Sequence, residues 1–353
     1  MDGRQVTVGF ITKDFTSLVP PIPGGCAYYR CYLPMLAVGN YARMGLPAWD
    51  PIRGFGVQES NDMGIFGFST VVLKLIMDRW TPKQIELAQN LKQKVVVDVD
   101  DHYEGLTEAN RAYEQTDPEK NKISNRENLT RTIEAADLVT VSTPFLYEWH
   151  KTHHNDNVAL VRNSVNVNQF TVRKHTDRKP VIGWAGSTHY RNGDLELLRE
   201  WLPDFLDSYD LKFHHAGHTP DAPSFAEVVG IDPARVTTSP LCRITEYAAG
   251  LKFDIGIVPL TDIPFNHAKS NVKGLEYAAA GIPFVASDLP EYRLLHEDGV
   301  GLLATTPEEW RSQMEALLDP AFRRNQANIG RGTVVSKWSI EAMAGEWRGV
   351  LTP

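Results

Sequence analysis

Blocks of apolar residues recur along this chain at spacings that predict alternating strands and helices. VTVGFIT (6–12), VVLKLIM (71–77), VVVDV (95–99), ADLVTVS (136–142) and NVALV (157–161) are short and largely apolar at successive positions. A strand with one wet face alternates between apolar and polar; these do not, so they predict parallel strands covered on both faces. Helical spacing separates them. PKQIELAQNLKQ (82–93) is amphipathic with Pro82 at a favourable start, Thr143-Pro144 opens another helix, and residues 25–44 predict a helix after the loop PPIPGG. The polar segment 103–130 is hard to place.

NVNQFTVRKHTDRKP (166–180) is polar, ends in Pro180 and marks the expected domain boundary. A second alternation follows. VIGWAG (181–186), LKFHHAG (211–217), DIGIVPL (254–260) and PFVAS (283–287) predict strands, and 194–207, 271–280, 307–318 and 320–334 predict helices. The fold class is therefore α/β, with two doubly wound Rossmann-like domains. Such sheets bind ligands at the carboxyl ends of their strands, which places the site in a central cleft between the domains.

Charge and cysteine content narrow the function classes. Lys and Arg number 36 against 44 Asp and Glu, a net charge of −8, which argues against a nucleic-acid footprint. Cys26, Cys31 and Cys242 include no C-x-x-C pair. A disulfide framework or structural zinc is not expected, and a reducing compartment is. The opening residues do not resemble a signal peptide, and no apolar run approaches the roughly 18 residues of a membrane span. A soluble cytoplasmic protein is expected.

The chemistry concentrates in FNHAKSNVKGLEYAAAGIPFVASD (265–288). Ser270 is a good N-cap, and a helix starting there would offer the free amides of Asn271 and Val272 to phosphate oxygens. Lys269 and Lys273 flank that turn and can neutralise a diphosphate. Glu276 can accept hydrogen bonds from ribose hydroxyls.

This segment resembles the donor-nucleotide element of GT-B glycosyltransferases, in the retaining group that includes glycogen synthases and bacterial mannosyltransferases (glycosyl transferases group 1, family-4-like). Their pattern is E-x7-E followed by A-x-A-x-G-x-P-V-V-A. Glu276 fits the second carboxylate and Gly281-Ile282-Pro283 the turn, while the first carboxylate falls at Ala268. GWAGSTHYRNGDLELL (183–198) is similar to the family's glycine-rich donor loop, with Gly186 and Ser187 lining it and Arg191 as a phosphate-binding charge. Arg243 lies in the loop that abuts the base in the family. PGGCAYYR (23–30) lies where the family has its Gly-Gly loop, making Gly24, Gly25 and Arg30 acceptor-side candidates. Trp338 and the segment to Val350 resemble the terminal helix that crosses back.

The resemblance implies an acceptor domain over 1–170, a donor domain over 171–336 and a returning helix over 337–353. It implies a hexosyltransferase moving a hexose from a nucleotide diphosphate sugar to a hydroxyl acceptor, whether protein, polysaccharide or lipid head group, with retention and without a divalent metal. VVVDVDDHYEG (95–105) sets Asp98, Asp100, Asp101 and His102 around a strand's carboxyl end, and Asp100, Asp101 and His102 are the catalytic candidates for handling the acceptor proton. The same acidic cluster also resembles a metal-binding D-x-D. No cofactor or bound metal is expected, and His150, His153 and His154 read as a solvated helix end. Two rivals remain: a non-catalytic nucleotide- or glycan-binding module, motivated by Ala268, and a GT-B epimerase.

Overall fold

A computed structural model describes residues 7–18, 21–39, 41–58, 65–110, 113, 125–189 and 193–351. In the first half, β1 (Val8–Thr12) leads into a hairpin of β2 (Phe15–Leu18) and β3 (Pro21–Pro23). Then come β4 (Ala42–Asp50), β5 (Gly54–Gln58), β6 (Ile65–Gly67), β7 (Thr70–Lys74), β8 (Lys94–Val99), β9 (Leu138–Val141) and β10 (Val158–Leu160). Apart from the hairpin, they form one sheet in the order β10-β9-β8-β7-β1-β4-β5-β6. The chain winds outward from β1 in both directions, so the crevice at the carboxyl ends of β1 and β7 is the switch point where ligands bind.

Two expectations fail in this half, and a segment without an assignment contains a helix. The sheet is parallel only from β10 to β4; β4, β5 and β6 form an antiparallel meander at its edge. Gly45 and Pro47 hide β4 in the sequence, but β1 pairs only with Ala42–Gly45, so Pro47 has β5 alone as a neighbour and its missing N–H is tolerated. The helix expected over 25–44 stops early. It runs as Gly25–Ala27, a wide π turn Tyr28–Tyr32 and Leu33–Val38, and ends because Gly39 adopts φ +89°. A helix, Asn125–Ala135, also begins inside the polar 103–130 segment.

The second half builds β11 (Val181–Ala185), β12 (Lys212–His218), β13 (Val236–Pro240), β14 (Ile255–Val258), β15 (Phe284–Ser287) and β16 (Leu302–Ala304). All pairs are parallel, in the order β13-β12-β11-β14-β15-β16, with the switch point between β11 and β14. The single helix expected over 194–207 is instead a short 3-10 turn, Glu196–Leu198, and a helix, Leu202–Ser208. Pro203 cannot sit inside a continuous helix, so it starts a second one.

The helix Ile340–Leu351 returns to the first sheet. Val165 pairs with Ser339 at the crossing. Trp347 and Leu351 then join Phe10, Cys31, Val72 and Val96 in one buried cluster. The two domains face each other with the carboxyl ends of both sheets toward the cleft.

Candidate active site

On the C-terminal wall, Val272–Ala279 forms the helix that the sequence places at 271–280. Its start differs from expectation. Ser270 is not the N-cap: the helix begins one residue later, and Ser270 Oγ accepts from Asn163 Nδ2 of the facing domain at 2.8 Å. Asn271 is the cap residue, with its own Nδ2 turned to the Glu291 carbonyl at 3.2 Å. The amides of Asn271 and Val272 lie in this first turn.

Lys273 Nζ donates to the Ala185 carbonyl at the end of β11 and lies 5.4 Å from the Trp184 ring centroid. This joins Lys273 to the loop of Gly186 and Ser187. That loop is held tightly: Gly186 N donates to Ala216 O, and Gly186 O accepts from His215 Nε2, both at 2.8 Å. Gly217 abuts it at φ +106°, where a Cβ would stand 2.8 Å from the Gly186 oxygen, so only glycine fits. Arg191 lies outside the described residues. Arg243 is exposed on the loop after β13.

Glu276 is buried and accepts from the hydroxyl of Tyr29 in the opposite domain. Burial pushes its carboxyl above the usual range, against the opposing pull of Lys273 and the tyrosine hydrogen bond.

The N-terminal wall is a network of buried charges. Arg30 does not reach the cleft as expected. It is fully buried, grips Asp98 through Nε and Nη2 (2.7 Å at the closest), and donates through Nη1 to Val161 O and Asn163 Oδ1. Its guanidinium also lies 4.9 Å from the Trp347 ring centroid. Lys74, at the end of β7, is also fully buried; it stands 3.4 Å from Asp98 Oδ1 and hydrogen-bonds Asp100. Burial alone would lower the Lys74 pKa, but Asp100 and Asp98 raise it on balance. Burial likewise opposes ionisation of Asp100, and Lys74 overcomes it, holding Asp100 below the ordinary range.

Asp101 behaves differently. It is partly exposed, and burial raises its pKa against the opposing charge of Lys269, 3.6 Å away across the cleft. His102 is buried against Phe145 and Trp149, with ring centroids at 5.3 and 4.6 Å, and burial lowers its pKa. Gly24 admits the Asp14 carboxylate, which accepts from Ala27 N at 2.8 Å; a Cβ at Gly24 would overlap Asp14. Gly25 is exposed with open space beside it.

Among the described residues, Cys26, Asp100 and Asp101 bring three possible metal-ligand atoms within 4.8 Å of one another. Asp100 is already engaged by Lys74 and Asp101 by Lys269. A divalent cation would have to sit among these ammonium groups, so the donor set fits a metal poorly.

The missing first carboxylate has a structural reason. Ala268 is fully buried in the core of the N-terminal domain, and its carbonyl accepts from Thr143 Oγ1 at 3.1 Å. A glutamate there would be driven into that core. Lys74 and Tyr29 escaped the sequence reading. The lysine inside the apolar run VVLKLIM was the available signal, because a charge in a buried strand needs a partner.

Several solved structures share the architecture. Sucrose-phosphate synthase from Thermosynechococcus elongatus superposes with a TM-score of 0.64 at 15% identity, covering 98% of each chain. Anabaena HepE in complex with UDP-glucose gives 0.64 at 13% identity, over 99% of this chain and 100% of that one. A glycosyltransferase from Rickettsia africae gives 0.62 at 12% identity, over 99% of each. No curated protein matches by sequence. Residues 179–320 match the family described as Glycosyl transferases group 1.

The chain has the GT-B fold. The family match includes Gly186, Ser187, Lys273 and Glu276. Tyr29, Lys74, Asp100 and Asp101 come from the other domain, outside that match. No helix among the described residues is long and apolar enough to cross a membrane.

Proposed function

We propose that this chain is a glycosyltransferase that moves a hexose from a nucleoside diphosphate sugar to a hydroxyl acceptor without a divalent metal and with retention. The observation that carries the reading is Lys273 in the first turn of the Val272–Ala279 helix, packed against the Gly186 loop. Helix amides and an ammonium there stabilise the departing diphosphate, the task a metal performs elsewhere. Glu276 takes the ribose after displacing Tyr29. Lys269 supplies charge one residue from the position of the missing carboxylate. Asp101, whose proton is held more tightly than an ordinary carboxyl's, is placed at the cleft to handle the acceptor proton. HepE bound to UDP-glucose makes uracil the first base to try. The acceptor class remains protein, polysaccharide or lipid head group. Three free cysteines suit a cytoplasmic, reducing location.

The test is a thermal-shift panel of UDP, GDP, dTDP and ADP, each with magnesium and with EDTA. Saturation at a hundred times Kd stabilises by about 2.7 kcal/mol. A shift with one base that is indifferent to EDTA supports the reading, and a shift that needs magnesium overturns its metal-independence. Buried Ala268 favours one rival, a binding module without turnover. Product analysis separates the two: transfer releases free nucleoside diphosphate and a glycosylated acceptor, whereas the module releases neither.

A further inference from the structure

An open cavity of about 450 Å³ lies behind the donor wall, where the linker 171–178 passes the helix Tyr247–Gly250 and the end of the Val272–Ala279 helix. Its rim is basic: Arg173, Lys174, Arg178 and Lys252. These four cations face two carboxylates, Asp254 and Glu246, which leaves a surplus of two positive charges. Arg173 and Arg178 share Asp254, at 2.8 and 3.1 Å. Arg173 uses only Nε for that contact, so its terminal nitrogens have no hydrogen-bond partner among the described residues. Lys174 and Lys252 are exposed. The floor is apolar, made by the buried Leu251, Ala280 and Ile282, with Val172 exposed at its edge. A basic rim over an apolar floor in a chain of net charge −8 does not describe a polyanion track. It describes a pocket for one small anion with a carbon skeleton.

We propose that this cavity binds a small organic phosphate as an effector, separate from the donor cleft. Phosphate oxygens meet Arg173, Arg178 and Lys252, and the carbon skeleton covers the apolar floor. The consequence follows from two connections to Glu276. Gln169, on the cavity wall, accepts from the Tyr28 hydroxyl; Tyr28 packs edge-on against Tyr29 at 5.1 Å, and Tyr29 holds Glu276. In the other connection, Ala248 and Ala249 line the cavity while Tyr247 of the same helix lies near Glu276. An occupant therefore biases the contact between the domains. Binding in the cavity stands independently of the proposed donor chemistry, but this consequence rests on it.

The experiment is calorimetric titration of the full chain with fructose 1,6-bisphosphate, and separately with UDP. The variants are Arg178→Ala/Lys252→Ala, both exposed positions outside the donor cleft, and Lys273→Ala. The proposal expects the Arg178→Ala/Lys252→Ala variant to bind the bisphosphate at least about tenfold more weakly, a loss of about 1.4 kcal/mol, while binding UDP normally. It expects Lys273→Ala to keep the bisphosphate site. Bisphosphate binding that is absent from the parent chain, unchanged in Arg178→Ala/Lys252→Ala, or lost in Lys273→Ala overturns the proposal. A failure of the donor reading appears separately, as an absence of UDP binding.

Discussion

The hydroxyl of Tyr29 donates to Oε1 of Glu276, so two residues 247 positions apart in sequence close the cleft from opposite walls. Under the proposed function a ribose competes with that hydroxyl. Tyr29→Phe is expected to lower stability by about 1–3 kcal/mol, because a buried carboxylate loses its donor. The same change is expected to tighten UDP binding roughly severalfold, since nothing has to be displaced. Urea denaturation and calorimetric titration read the two effects. Weaker UDP binding would show that Tyr29 helps to hold the nucleotide.

Lys273 tests the diphosphate site. Lys273→Ala is expected to weaken UDP by about 1.5–3 kcal/mol, the range of a hydrogen bond to a charged group. Uridine, which carries no phosphate, should lose almost nothing. Equal losses for UDP and uridine would move the lysine's role from phosphate to the shape of the loop.

Arg30 tests the correction to the acceptor side. Removing one partner of a buried pair costs about 3–5 kcal/mol, so Arg30→Met is expected to be strongly destabilised in urea. Its UDP affinity should match the parent wherever the variant is folded. A stable Arg30→Met with impaired acceptor use would return the residue to the cleft.

Two buried histidines set an acid limit, one of them His150, which is buried rather than on the solvated helix end the sequence suggests. Burial lowers His150 to about 4 and His215 to about 4 from an unfolded value near 6.5. Each therefore contributes stability that is complete above pH 6.5 and lost as the pH falls toward 4, to a maximum of about 3 kcal/mol per group. Melting temperature measured between pH 7 and 4 should fall steeply, and His150→Gln should flatten the curve. A variant curve parallel to the parent's would remove His150 as a cause.

The parts of the molecule legible in the sequence were those whose neighbours along the chain decide their structure. The helix ending in Ala-Ala-Gly-Ile-Pro carries its own stop signal, with Gly281 at φ +66°, and it formed within a residue of expectation. The fold class follows from blocks such as VVVDV, whose burial on both faces is written in their composition. Ser270 shows the limit. Its capping chemistry was sound, but Asn163 offered a partner 107 positions away. Arg30 shows it again, since nothing beside it in sequence reveals the Asp98 carboxylate that buries it. The antiparallel edge was hidden because proline and glycine, which signal turns locally, are tolerated where only one neighbour strand must be satisfied.

The returning helix reverses the usual order in which a nascent chain matures. N-terminal domains generally fold first during synthesis. Here Arg348 reaches Ala37 from 311 positions downstream, and Trp347 lies over the Arg30 guanidinium and beside Phe10. The first sheet therefore leaves the ribosome with an open flank and a buried cation still uncovered, and waits through the making of the whole second domain. The returning helix seals the first sheet only after the second domain has been made, so a chain stopped before Ile340 leaves that sheet's flank exposed.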